Sequence, residues 1–321
     1  MTQHNFVKRR QQFWNKIEEV INGSPKEIKA QSGWFPKAFR ELTQDLNTAR
    51  SHAFDPALIE RLNRLVLEGN QLLYGQHSLS FKKFSDFILK TFPCSIRAAW
   101  KGIAAAHLIF YGIAFFTILL CTRFPDFVYE IMPENQAAKI EEMYNPESKH
   151  FLTPRNVSSN ADMFGFYIYN NISIAFKTFA GGILAGVGSL FILSTNALFL
   201  GAAAAHIINK GFLQTFFPFI IGHGSFELSA IILSAHAGLI LGYSLFVTKG
   251  LTRQASLAIA GKKAIPLITG SAILLVIAAA IEAFWSSKHQ FPASVRYSAG
   301  AAGWIFLYLY FIFAGRKYKN E

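Results

Sequence analysis

Apolar residues along this chain follow two rhythms. In the first hundred residues they recur every three or four positions among charges. Phe13, Ile17, Val20 and Ile21 form one such series, and Ala38, Phe39, Leu42 and Leu46 a second; Leu58, Leu62, Leu65, Val66 and Leu73 form a third. That period predicts amphipathic helices, each with one face toward a core and one toward water. Pro36 suits the first turn of the second helix, and Asp55-Pro56 reads as a cap and first-turn proline for the third. A further stretch, 79–91, sets Phe81, Phe84, Phe87 and Ile88 among Lys82, Lys83 and Lys90. It has two readings, a helix lying on a membrane surface or an ordinary packing helix.

Beyond residue 101 the rhythm gives way to long apolar runs. About twenty apolar residues suffice to cross a bilayer. The runs 102–122, 171–193, 198–221, 226–247, 266–285 and 297–314 are read as spans, about six in all. The fold class is therefore all-α: a polytopic helical membrane domain over 101–316, preceded by a helical domain over 1–100 expected in the cytoplasm. Ser194, Thr195 and Asn196 form an uncharged polar break between two short runs. A turn and a broken helix buried in protein fit it equally. Whether 194–222 is a full span or re-entrant stays open. The segment 123–165, with Pro125, Pro133, Pro146 and Pro154, is longer than an ordinary connector. It is expected to fold as a small cap or to bind something.

Composition agrees with the runs: 52% of residues are hydrophobic, only 16% are charged, and there are 32 phenylalanines. The formal charge of +12 invites a nucleic-acid reading, but its distribution opposes one. Residues 1–101 carry 16 Lys/Arg against nine Asp/Glu, whereas 122–164 carry four against seven. Lys249, Arg253, Lys262 and Lys263 form a further basic segment, and Arg316, Lys317 and Lys319 mark the tail. Basic segments alternating with an acidic one across apolar runs follow the positive-inside pattern. They place both termini in the cytoplasm and the 123–165 loop outside, with lipid rather than nucleic acid as the partner. The start, MTQHNFVKRRQQFW, lacks the apolar core and small-residue cleavage site of a signal peptide, so insertion is expected to begin at the first span. Cys94 and Cys121 fall on opposite sides of that span, which argues against a bridge between them.

Between Asp162 and Glu321 the sequence holds only two carboxylates, Glu227 and Glu282. A carboxylate in lipid is costly, so each is expected to face protein and have a partner. Both fall near the outer end of a predicted span, at one depth. His223 is four residues before Glu227 and shares its helical face. His223, Glu227 and Glu282 are thus candidate ligands for a divalent metal, although no cofactor is required and no zinc-protease spacing is present. A proton or ion relay and a purely structural carboxylate–histidine contact are the rival readings. His236, nine residues past Glu227, lies roughly 13 Å deeper. Lys177 either snorkels outward or pairs with one of the carboxylates. Gly181, Gly182 and Gly186, with Gly238 and Gly242, are read as helix-packing positions, since small residues four apart let helices approach closely. No nucleotide loop or nucleophile elbow occurs, so no catalytic residue is assigned and no enzymatic activity is expected.

These elements also carry a resemblance. Asn170-Asn171, Phe179-Ala180-Gly181-Gly182-Ile183-Leu184, and Asn196 with Gly201 contribute to it. So do His223-Gly224-Ser225-Phe226-Glu227-Leu228, Gly238-Leu239-Ile240-Leu241-Gly242 and Ile281-Glu282-Ala283-Phe284. The chain resembles the stage II sporulation protein M family. The resemblance implies an integral-membrane scaffold or assembly factor, tied to a peptidoglycan-related complex of the cell envelope. It makes His223, Glu227, Glu282 and Asn196 the functional candidates without assigning any of them a reaction. Ala197 and His236 depart from its pattern. Expected partners are a second copy of the chain, as a homodimer, and envelope proteins. A transporter or channel-like protein using Glu227 and Glu282 is the alternative reading, and a metal-dependent membrane enzyme the third.

Overall fold

The computed structural model describes residues 2–23, 33–74, 81–148, 157–248, 250–288 and 291–316. These residues are helical, with no strand among them. The chain divides into two compact units, Met1–Phe84 and Ser85–Glu321.

The first unit holds α1 (Gln3–Ile21), α2 (Phe35–Ser51) and α3 (Pro56–Tyr74). The three apolar series meet in one core, where Trp14, Ile17, Leu42, Leu62 and Leu65 are fully buried. Pro36 sits in the first turn of α2, and the Ala57 backbone N–H donates to Asp55 Oδ1 at 2.7 Å to cap α3. Asp45 is the one buried carboxylate among the described residues of this unit. It accepts from Trp14 Nε1 and from Arg10 Nε, each at 2.8 Å.

The chain passes from the first unit to the second within α4 (Phe81–Asp86), and a wide turn at Phe87–Thr91 and α5 (Phe92–Ala98) follow. Residues 85–100, which the sequence grouped with the N-terminal domain, belong here. Phe92 is buried, with its ring against Gly270. Arg97 donates to the Ala314 carbonyl at 2.6 Å. Phe81 and Phe84 are exposed.

Six long helices follow: α6 (Trp100–Arg123), then α9 (Val157–Ala180), α10 (Val187–Lys210), α11 (Leu213–Phe246), α12 (Arg253–Ile281) and α13 (Ala293–Phe313). Two short helices, α7 (Val128–Ile131) and α8 (Glu134–Tyr144), lie between α6 and α9. Among the described residues, four runs are long and apolar enough to cross a membrane: Trp100–Arg123, Val187–Lys210, Leu213–Phe246 and Arg253–Ser286. Val157–Ala180 and Ala293–Phe313 are as long as a span but carry more polar positions, among them Asp162, Lys177 and Arg296, and fall outside that set.

The first and last spans agree with those read in the sequence within four residues, whereas the helices between them start about 11–14 residues earlier than read. Ser194, Thr195 and Asn196 form neither a turn nor a broken helix, because they lie inside the continuous α10. Their polar groups turn back on their own helix: Asn196 Nδ2 and Thr195 Oγ1 donate to the Ile192 carbonyl at 2.7 and 3.0 Å. The break lies earlier, at 181–186, where Ala185 and Gly186 take positive φ. A second break falls at Gly211, also at positive φ, so the expected span 198–221 is divided between α10 and α11. The basic segment at 249–263 is mostly helix, since α12 begins at Arg253 with Thr252 Oγ1 accepting from the Ala255 backbone N–H at 3.2 Å. Pro266, expected to start that span, sits inside the helix.

The central element, α11, packs against α6, α9, α10, α12 and α13. Its 34 residues extend about 51 Å at 1.5 Å per residue. Its buried positions mix small or polar residues, Gly222, Gly224, Ser229, Ser234, Ala237 and Gly238, with Ile231, Ile232, Leu233 and Leu241. On the neighbouring helices Phe115, Phe116, Phe191 and Phe306 are exposed. Small residues at helix contacts and large apolar side chains on the outside suit an apolar solvent.

The glycines of 181–186 do not form a smooth helical face. They make a tight break seated on α11. A Cβ on Gly238 would lie 2.8 Å from the Phe179 carbonyl oxygen, and one on Gly181 would lie 2.7 Å from the Gly188 carbonyl carbon. Gly182 and Gly186 sit against Gly238 and Gly242 respectively. Ser189 Oγ closes the break by donating to the Thr178 carbonyl at 2.6 Å.

Between α6 and α9 the acidic segment folds as a cap. Val128, Met132 and Ala137 bury against Cys121, Ala202 and Ala205. The Tyr144 ring meets Phe216 edge-on at 4.8 Å. Glu141 binds Lys210 Nζ at 3.0 Å and His206 Nε2 at 3.2 Å. Residues 149–156 of this segment lie outside the described residues.

Candidate functional site

Two antiparallel helices, α11 and α12, bring the isolated carboxylates together. His223 and Glu227 are one turn apart on α11. Glu282 opens the wide turn Glu282–Ser286 that ends α12. A turn of this kind, with i→i+5 hydrogen bonding, is rare within helices and concentrates at functional sites. Gly222 makes the approach possible, because a Cβ there would lie 2.5 Å from the Trp285 ring.

His223, Glu227 and Glu282 each offer one ligand atom, and these atoms lie within 4.8 Å of one another. His223 and Glu282 are buried, while the Glu227 side chain is 23% exposed. Nδ1 of His223 lies 3.2 Å from Ser286 Oγ, and its Nε2 lies 3.7 Å from Glu227 Oε2. The first distance is a hydrogen bond; the second is too long for one. The serine thus holds the ring so that its other nitrogen faces the carboxylates.

Arg296 of α13 braces the same turn. Its buried guanidinium donates to the Ser286 carbonyl at 3.2 Å and to the Lys288 carbonyl. A cation on the last carbonyls of a helix satisfies groups that have no partner within it. Gly300 and Gly303 let α13 close on this region, since a Cβ on each would crowd the Ile221 backbone and Ser225 Oγ at 2.6 and 2.7 Å.

The other candidates fall elsewhere. Asn196 is bonded to its own helix at Ile192. His236 packs against Gly102 of α6, with Nδ1 buried and without a hydrogen-bond partner. Lys177 is exposed near the end of α9. Ser286 and Arg296 were not singled out from the sequence. Ser286 carried a usable signal, since Glu282 and Ser286 repeat the four-residue spacing of His223 and Glu227 on a neighbouring helix. Arg296 carried none, because a basic residue beside an apolar run reads as a topology signal.

The fold and this buried polar cluster define a polytopic α-helical membrane protein. Residues 102–287, more than half of the chain, match the family described as Stage II sporulation protein M, and the chain belongs to that family. Residues 4–75, which cover the first unit's helices, match a domain of unknown function (DUF8413). Neither a curated protein nor a solved structure matches the chain.

Proposed function

We propose that this protein is a membrane scaffold or assembly factor, working as a homo-oligomer in a cell-envelope complex and catalysing no reaction itself. The observation that carries this reading is the division of the chain. A self-contained helical unit with its own core accompanies a bundle held by close backbone packing. Such a unit offers a water-facing surface for protein partners, while the bundle anchors it in lipid. Membership of the Stage II sporulation protein M family supports a membrane role of this kind. In this reading the basic segments put the first unit and the C-terminus on the cytoplasmic side of a bacterial inner membrane.

The test is site-specific crosslinking in native membranes. A photoreactive residue at the exposed Leu67 of α3 should give a small set of discrete adducts, one of them a second copy of the chain. Removal of residues 1–84 should abolish those involving other proteins. A chain that stays monomeric and uncrosslinked would count against the proposal. So would ion flux in proteoliposomes that disappears in Glu227→Gln, which would favour the transporter reading.

A further inference from the structure

The geometry points to a divalent-cation site formed by His223, Glu227 and Glu282, with Ser286 setting the imidazole. This goes beyond the scaffold reading and does not depend on it.

Charge is the first reason. Two carboxylates meet inside a bundle whose buried groups are mostly apolar. Like charges at this separation repel strongly in a medium of low polarity. A cation of charge two can bridge the two carboxylates. The only acidic residues between Asp162 and Glu321 are the two that converge here from different helices.

The imidazole is the second reason. Its Nδ1 is engaged by Ser286 Oγ at 3.2 Å, and its Nε2 faces Glu227 at a distance too long for a hydrogen bond. When Nδ1 carries the proton, Nε2 turns a lone pair toward carboxylate oxygens. That arrangement is favourable when a cation or a proton lies between them, and a cation can meet all three atoms at once. Metal-binding histidines have the same arrangement, one ring nitrogen on the metal and the other bonded to a group that orients it.

Size is the third reason. Three atoms within 4.8 Å of one another lie at most about 2.8 Å from a common centre (4.8/√3), against the 2.0–2.2 Å bonds of zinc. Rotation of the two flexible glutamates closes that gap. One nitrogen and two oxygens suit Zn²⁺ or Mn²⁺ better than Cu⁺, which prefers sulfur. Three protein ligands leave a position for water or for a group brought by a partner.

The experiment uses the full-length protein in detergent micelles, stripped with chelator and then given Zn²⁺ or Mn²⁺. The expected result is one ion per chain retained after desalting. Retention should be lost in His223→Ala, Glu227→Gln and Glu282→Gln. Ser286→Ala should bind about 10- to 100-fold more weakly. Glu141→Gln, in the other histidine–carboxylate cluster, should bind as the parent does. Elution volume and helical circular dichroism establish that each variant is folded. X-ray absorption of the zinc-loaded parent needs no variant and should show nitrogen and oxygen neighbours without sulfur. Absence of stoichiometric binding by folded parent protein would overturn the site. So would binding unchanged in both glutamate variants, loss through Glu141→Gln instead, or a sulfur shell.

Discussion

The two units solve one problem in opposite ways. In the first, large side chains go inside: Trp14, Leu42, Leu62 and Leu65 fill the core, and the charges stay near water. In the second, phenylalanines such as Phe115 and Phe306 face outward, and glycine, alanine and serine stand among the buried leucines and isoleucines at the helix contacts. Water drives the first arrangement through the hydrophobic effect. Lipid offers no such drive between helices, so the second depends on close approach and satisfied polar groups. The carboxylates of the two units are set differently. Asp45 is held by Trp14 and Arg10, on helices of its own unit, and Glu227 and Glu282 gather with His223 where two long helices meet.

Substitutions can break or sharpen this contrast, and the largest effect belongs to the bundle. Gly238→Leu would drive a side chain into the Phe179 carbonyl and Ser189. Overpacking costs about 1–3 kcal/mol where neighbours can move, and more where the neighbour is backbone. The expected outcome is loss of monodisperse protein on detergent extraction, seen by size-exclusion chromatography. Normal yield and elution would show that the break at 181–186 does not rest on α11.

Asp45→Ala is the matching test of the first unit. It strands the Trp14 indole N–H in a core and leaves Arg10 without its shorter ion pair. An unsatisfied buried donor costs about 1–3 kcal/mol. Thermal unfolding of this unit, followed by near-ultraviolet circular dichroism, should move down by several degrees. An unchanged midpoint would contradict the buried network.

Smaller effects are expected where charge meets water. Glu141→Gln removes partners of Lys210 and His206 on a partly exposed cap, and partly exposed ion pairs contribute about 0–1 kcal/mol. The loss should shrink further at high salt. Protease sensitivity of the 124–148 segment is a suitable readout. A large, salt-independent loss would mean that the cap depends on this contact far more than its exposure suggests.

Phe191→Leu should matter least. Phe191 is exposed on α10, and one apolar group for another against lipid leaves the transfer energy nearly unchanged, within about 0.5 kcal/mol. A strong effect would indicate that this face is covered by protein, as a homo-oligomer would require.

Helix type and the outlines of the membrane half were legible in the sequence, because apolar period and run length report directly on solvent. The helix ends were less so. Ser194-Thr195-Asn196 looks like a break but satisfies its polar groups on the Ile192 carbonyl, while Ala185 and Gly186 make a break that composition alone does not distinguish from helix packing. The convergence of Glu227 and Glu282 was visible because charge in an apolar run is costly. The roles of Ser286 and Arg296 were not, because they depend on which turn of α12 faces α11 and on where α13 closes over it.

The central claim is that Glu227 and Glu282 share one site. The direct measurement is thiol crosslinking in native membranes, in a chain with Glu227→Cys and Glu282→Cys and with Cys94 and Cys121 changed to alanine. A short bifunctional thiol reagent should join the two positions within a single chain, visible as a shifted band that requires both new cysteines. The account predicts that crosslink. Its absence, in a chain where cysteines at the adjacent Gly222 and Trp285 positions do crosslink, would contradict it.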